Sequence, residues 1–126
     1  MQGIKLFLLT NENFIMKFEL YQSEKNEKFY FRLVAANNQI ILTSQGYATK
    51  AAANNGILSV QENATVDERY ERKEAKNGKA YFSLKAGNGQ IVGDSQMYAA
   101  TSGMENGIKS VMEHAPIAPI NDLVKA

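Results

Sequence analysis

The chain has 126 residues, 44% of them apolar and 21% charged, with no cysteine and a formal net charge of +1. That composition is globular rather than disordered or fibrous. The missing thiols exclude disulfides, cysteine nucleophiles and sulfur-ligated zinc. Near-neutrality leaves no broad field to gather phosphates. One domain in a reducing cytoplasm fits these totals.

Residues 1–15 form an extension outside the pattern that organises the rest. Positions 4–9 are apolar apart from Lys5, but the run is too short to cross a bilayer and has no small-residue cleavage site, so neither insertion nor secretion is expected. Residues 5–10 are a candidate edge strand. The rival expectation is that translation starts at Met16, where the pattern begins.

That pattern is an internal duplication. Residues 30–64 and 81–115 align without a gap at an offset of 51, with 18 identities in 35 positions, where chance gives roughly two. A fainter echo upstream matches Lys17-Phe18-Glu19 to Arg69-Tyr70-Glu71. The repeats are therefore read as 16–67 and 68–120 within one domain, with a frayed tail at 121–126. A unit of about 50 residues is near the lower limit for a core of its own, so the halves are expected to share one.

Within the first unit, residues 29–36 and 39–44 read as a hairpin closed by Asn37-Asn38, and Asn88-Gly89 repeats the turn; both pairs tolerate the positive φ of tight turns. In that register Phe31, Leu33, Ala35, Ile40 and Leu42 share a buried face. Tyr30, Arg32, Val34, Ile41 and Thr43 take the other. Thr49 is the expected N-cap of a helix to about Asn63. Ala53, Ile57, Val60 and Ala64, like Met104, Ile108, Val111 and Ala115, make one stripe against the sheet. Gly56 and Gly107 flank the stripes, where glycine costs about 1 kcal/mol relative to alanine. Their recurrence implies a neighbour too close for a methyl group. Residues 66–75 read as a solvated, charge-alternating extended segment. Pro116 and Pro119 end the second helix, and a short strand is expected near 117–120.

The segments Phe31-Arg32-Leu33-x-Ala35-x-Asn37, Leu42-Thr43-Ser44-x-x-Tyr47, Asn55-Gly56-Ile57-x-Ser59-Val60, Glu68-Arg69-Tyr70-Glu71 and Asn77-Gly78-Lys79-x-Tyr81-Phe82 resemble the YegP family in its duplicated form. This is a group of small bacterial proteins of unknown function. The resemblance, over about residues 16–115, implies an α+β fold in which tandem units of three strands, a helix and a further strand form a single mainly antiparallel sheet. Both helices would lie on one face and the last strands would be exchanged between repeats. It supplies no catalytic residues. Three departures stand out: Gly93 in place of Leu42, Ala100 at the cap position Thr49, and the extension at 1–15. The first implies a locally thinner core. The second implies a weaker cap, with Thr101 or Ser102 taking over.

No motif specifies a reaction. His114, the single histidine, excludes sites built on several imidazoles and reads as a favourable helix-end partner of the dipole. Ser44 and Ser95 read as structural hydroxyls. Residues 86–89 are hairpin punctuation without the lysine and helix of a phosphate loop, and the carboxylates show no metal-loop spacing. No cofactor, metal ion or catalytic residue is expected.

Two binding surfaces are candidates. Asn55, Ser59 and Glu62 recur as Asn106, Ser110 and Glu113 on helix faces away from the core, offering a groove between the two helices for a partner. Tyr30, Arg32, Tyr81 and Lys85 on the open sheet face offer contacts to a planar or anionic ligand such as single-stranded nucleic acid, although the aromatic glycine motif of RNA-recognition sheets is missing. The sequence is thus read as a non-catalytic, cytoplasmic binding or interaction module. It is expected to be a pseudo-dimeric monomer with an edge-paired homodimer as the alternative, and with a protein partner ahead of a small molecule. Nucleic-acid binding is the second reading, and an enzyme with an unrecognised pocket the third.

Overall fold

The fold, obtained as a computed structural model, covers residues 16–125; the extension at 1–15, with its candidate strand, lies outside the described residues. In chain order it runs β1 (Met16–Gln22), β2 (Phe29–Ala35), β3 (Ile40–Thr43), α1 (Lys50–Asn63), β4 (Tyr70–Glu74), β5 (Ala80–Lys85), β6 (Ile91–Ser95), α2 (Thr101–His114) and β7 (Ile120–Asp122). Single 3-10 turns, Asp67–Arg69 and Ala115–Ile117, lead into β4 and β7.

The described strands form one sheet in the order β4-β5-β6-β3-β2-β1-β7, antiparallel except for the parallel pair β1–β7. The repeats meet at β3 and β6, which share only Leu42–Ser95 and Thr43–Asp94. Thr43 and Asp94 are the same repeat position, so a pseudo-twofold axis passes through their pair. A two-residue ladder is a weak seam, and the common interior does the joining. Phe18, Phe31, Leu33, Leu42, Phe82 and Leu84 from the sheet are fully buried in one cluster with Ile57, Val60, Ile108 and Val111 from the helices. The helix stripes therefore face one side of the sheet, as the α+β duplication requires.

The segments after both helices cross to the opposite half: β4 pairs with β5, and β7 with β1. β4 is also the opening strand of the second unit, so the described sheet has seven strands rather than eight. β7 lies beyond the expected 117–120, because residues 115–117 are spent on the 3-10 turn. The chain is still held past 121: the Leu123 amide donates to the Leu20 carbonyl at 2.8 Å, and Val124 packs against the core.

The hairpin turns form as their residues demand, with Asn38 at φ 68° and Gly89 at φ 87°. Leu33 pairs with Leu42, but Val34 pairs with Ile40, leaving Ile41 as the extra residue of a bulge; Val92 repeats this between Leu84–Gly93 and Lys85–Ile91. The extra residue reverses side-chain parity beyond it. Ile40 is accordingly exposed and Ile41 buried, the opposite of strict alternation, and Val34 is buried as well.

Thr49 caps α1 by accepting from the Ala52 amide at 3.0 Å. Ala100 occupies the same place before α2 with no side-chain cap, and neither Thr101 nor Ser102 replaces it, because both already lie inside the helix. The helix glycines face tyrosines. A Cβ on Gly56 would come 2.5 Å from the Tyr47 hydroxyl, and one on Gly107 would overlap the Tyr98 hydroxyl. Gly93 has a different reason. A Cβ there would lie 2.8 Å from Leu42 Cγ and Cδ2, so the core is not thinner at this point: Leu42 fills the space from the other repeat.

Candidate functional site

The helix triplets do not converge on one groove. Asn55, Glu62, Asn106 and Glu113 are exposed, whereas Ser59 and Ser110 are half-buried. Ser59 is tied into a local network: Asn63 Nδ2 donates to its carbonyl at 2.8 Å and its Oγ at 3.3 Å, and Asn63 Oδ1 accepts from Arg69 Nε at 2.9 Å. Asn106 and Ser110 instead line an open cavity of about 510 Å³ between α2 and the β2–β3 hairpin of the other repeat. No residue of α1 lines it.

This groove has a distinct chemistry. Its other polar lining residues are Asn37, Gln39, Gln96 and Tyr98; the remainder are glycine, alanine, methionine and isoleucine, and no charged residue contributes among those described. Gln39 Nε2 donates to Gln96 Oε1 at 2.8 Å, bridging the repeats at the rim. Tyr98 packs over Gly107 with its hydroxyl buried and unpaired. The hairpin residues were missed by reading the helix alone. The recurrence of Gln39 as Gln90 and of Gln96 as Gln45 is the available signal, since turn chemistry, which explains Asn37 and Asn88, calls for neither glutamine.

The open sheet face splits into two patches. Tyr30 and Arg32 are on β2 and Tyr81 and Lys85 on β5, three strands apart, which is about 14 Å. Tyr30 stacks on Tyr21 with centroids 5.8 Å apart, while the Arg32 guanidinium lies 4.6 Å over the Tyr21 ring and its Nε donates to Glu19 Oε1 at 2.8 Å. Lys73 lies 5.7 Å over Tyr81, and Lys85 Nζ is 3.0 Å from Glu71 Oε1. Lys85 beside Glu71 holds that carboxyl below its usual range. Each patch therefore answers its own cations with a carboxylate.

The Ser44 and Ser95 hydroxyls, read from the sequence as structural, are spent on the backbone. Ser44 Oγ accepts from the Phe31 amide at 2.9 Å and donates to the Gln45 carbonyl at 2.9 Å; Ser95 repeats both bonds with Phe82 and Gln96, at 2.9 and 2.7 Å. His114 ends α2, 3.9 Å from Glu113 Oε1. Buried Tyr70 donates to the Ala64 carbonyl at 2.6 Å, and burial pushes its pKa well above the ordinary tyrosine value. Among the described residues no group of three or more histidine or carboxylate side chains is placed to hold a metal ion, and no helix is long and apolar enough to cross a membrane.

A duplicated α+β chain, closed across a pseudo-twofold axis and bearing a neutral groove, is the class these observations define. The family described as a domain of unknown function, DUF1508, matches twice, at residues 24–71 and 75–122. The chain belongs to that family, in which the YegP proteins are found. A UPF0339 protein from Shewanella oneidensis is 51% identical over 106 residues, which is 84% of this chain and 96% of that protein. The solution structure of a UPF0339 protein from the same organism superposes with a TM-score of 0.82 at 49% identity, covering 88% of this chain and 93% of that one. The solution structure of YegP from Escherichia coli, described as a protein of unknown function, gives 0.83 at 43% identity over 92% and 99%.

Proposed function

We propose that the chain is a cytoplasmic, non-catalytic interaction module that takes a segment of a protein partner into the groove between α2 and the β2–β3 hairpin. The observation that carries this reading is the groove's lining: primary amides at the rim, small and apolar residues beneath, and no charged residue among those described. Each amide offers both a donor and an acceptor, which suits another chain's backbone better than it suits an ion. The non-catalytic reading is supported by Ser44 and Ser95, whose hydroxyls are already committed to the backbone. A polyanion on the sheet face is disfavoured because Glu19 and Glu71 already engage the cations it would need. The lack of cysteine agrees with a reducing compartment.

The test compares proteins retained from native lysate by the wild type, by Asn106→Arg and by the open-face control Arg32→Glu. The expected result is a set lost with Asn106→Arg and kept with Arg32→Glu. Unchanged retention with Asn106→Arg, or nucleic acid recovered in an Arg32-dependent way, refutes the reading.

A further inference from the structure

We infer that the protein carries a second groove on α1, equivalent to the one on α2, and that both take short uncharged peptide segments read through their main-chain amides. The inference rests on the reading of the α2 groove above and adds to it a second site and a ligand class.

The duplication itself supplies the argument. All six polar residues of the α2 groove recur at the offset of 51: Asn37 as Asn88, Gln39 as Gln90, Gln96 as Gln45, Tyr98 as Tyr47, Asn106 as Asn55 and Ser110 as Ser59. Across the aligned repeats only 18 of 35 positions match, so complete retention here exceeds the background. Packing accounts for little of it, because Asn37, Gln39, Asn55, Asn88, Gln90 and Asn106 are all exposed. Turn chemistry accounts for one pair: Asn37 and Asn88 accept from the amides of Gln39 and Gln90 at 3.0 Å in both hairpins. Among the described residues, the side chains of Gln90, Gln45, Asn55 and Asn106 make no hydrogen bond, while Gln39 and Gln96 bond only to each other across the repeats, so turn chemistry fixes none of these six. The topology places the second set as it places the first. α1 packs against β5 and β6 as well as against β2 and β1, and the β5–β6 hairpin carries Asn88 and Gln90, as the β2–β3 hairpin across the groove from α2 carries Asn37 and Gln39.

The ligand class follows from the lining. A charged group entering the α2 set of amides would give up hydration without a counter-charge; the α1 set is likewise lined by amides but has the Arg69 guanidinium at one end. Peptide groups match the paired donor and acceptor of Asn and Gln, and one tyrosine per groove leaves no second aromatic face to sandwich a sugar ring. A volume of about 510 Å³ falls within the range of ligand pockets, roughly 300–1,000 Å³. The grooves differ at one end. By the upstream echo, Glu68 and Arg69 correspond to Met16 and Lys17, and Arg69 Nη2 lies 3.5 Å from the position a Gly87 Cβ would take. This narrows the α1 groove where Ala36 stands in the other, so the second site is the weaker one.

The test selects short capped peptides, randomised over all residue types, against the full chain, then titrates the enriched peptide by calorimetry and amide NMR. An uncharged consensus and two sites of unequal affinity are expected. Asn106→Arg should remove the tighter site and Asn55→Arg the weaker, each leaving the other intact, with both variants retaining the wild-type amide spectrum away from the substitution. A single site abolished by Asn106→Arg refutes the second groove and leaves the reading of the first standing. Binding indifferent to both substitutions refutes both. A charged consensus, a selection without enrichment, or neutral oligosaccharides bound in an Asn55- and Asn106-dependent way overturns the peptide class.

Discussion

Leu42 and Gly93 hold the same repeat position and face each other diagonally across the pseudo-twofold axis. Leu42 is fully buried, and its Cγ and Cδ2 are both 2.8 Å from where a Gly93 Cβ would stand. The centre of the core thus has room for one leucine, supplied by the first repeat. Leu42→Gly empties that space and adds strand entropy, at a cost of about 3–6 kcal/mol. Gly93→Leu overfills it, at a cost of about 1–3 kcal/mol or more. Were the sites independent, the double variant would lose the sum, a large part of the roughly 5–15 kcal/mol that holds an ordinary domain together. Near the axis, however, the exchanged pair returns one leucine to the same space from the opposite strand. Leu42→Gly/Gly93→Leu should then retain stability to within about 2 kcal/mol of the parent. Urea unfolding followed by circular dichroism measures all three variants, with equal slopes as the check on two-state behaviour. A double variant as unstable as the sum of the singles would refute the shared-volume argument.

Four further outcomes are expected. Ala100→Ser supplies α2 with the cap that Thr49 gives α1, at a backbone geometry already close to that of Thr49, and should add about 0.5–2 kcal/mol in thermal or urea melts. Tyr98→Phe removes a buried hydroxyl that bonds to nothing and should stabilise by about 1 kcal/mol, while destabilisation would reveal a partner for it. Gly56→Ala should destabilise, against the gain of about 1 kcal/mol expected in a free helix, because both Tyr47 and Phe31 must give way; the loss should shrink, but not vanish, in a Tyr47→Phe background. Arg72 Nε and Nη2 clasp Glu105 at 2.7 and 3.2 Å, tying β4 to α2 and lowering the carboxyl's pKa. A lowered folded-state value means this stabilisation is complete above the ordinary glutamate pKa of about 4.3 and fades as the pH falls through the lowered value. Because the pair is partly exposed, Glu105→Gln should cost under about 1 kcal/mol at pH 7, and nothing at a pH where the parent carboxyl is already protonated.

What the sequence disclosed depended on range. The stripe Ala53, Ile57, Val60 and Ala64, the Thr49 cap and the Asn88-Gly89 turn are local rules applied to adjacent residues, and each is realised. The helix glycines were legible as close approaches, though the tyrosine hydroxyl responsible lies outside the helix. The bulge at Ile41 was not legible, since alternation assumes that neither strand carries an extra residue. Gly93 was misread for a related reason: the Leu42 that fills its space is 51 positions away, and only the β3–β6 seam brings the two together. The candidate groove was half visible. Its helix residues recur on an outward face and are legible there, whereas Gln39 and Gln96 become legible as its lining only from which hairpin faces which helix.

The family boundaries clarify why the sheet departs from exact symmetry. Units of 24–71 and 75–122 end at the start of β4 and at the end of β7, making these equivalent in the chain. β4 takes the place beside β5 and runs antiparallel to it. The matching place beside β2 is already filled by β1, through seven consecutive pairs from Met16–Ala35 to Gln22–Phe29. β7 therefore moves one place outward and keeps its direction relative to β2, which makes it parallel to β1. With three residues, all exposed, it is held by the Phe18 amide donating to the Pro119 carbonyl at 2.8 Å and by Lys50 Nζ at 2.5 Å from Asp122 Oδ2. The sequence echo between Lys17-Phe18-Glu19 and Arg69-Tyr70-Glu71 has its physical meaning here: β1 serves the first repeat as β4 serves the second, and the strand it displaces becomes the edge.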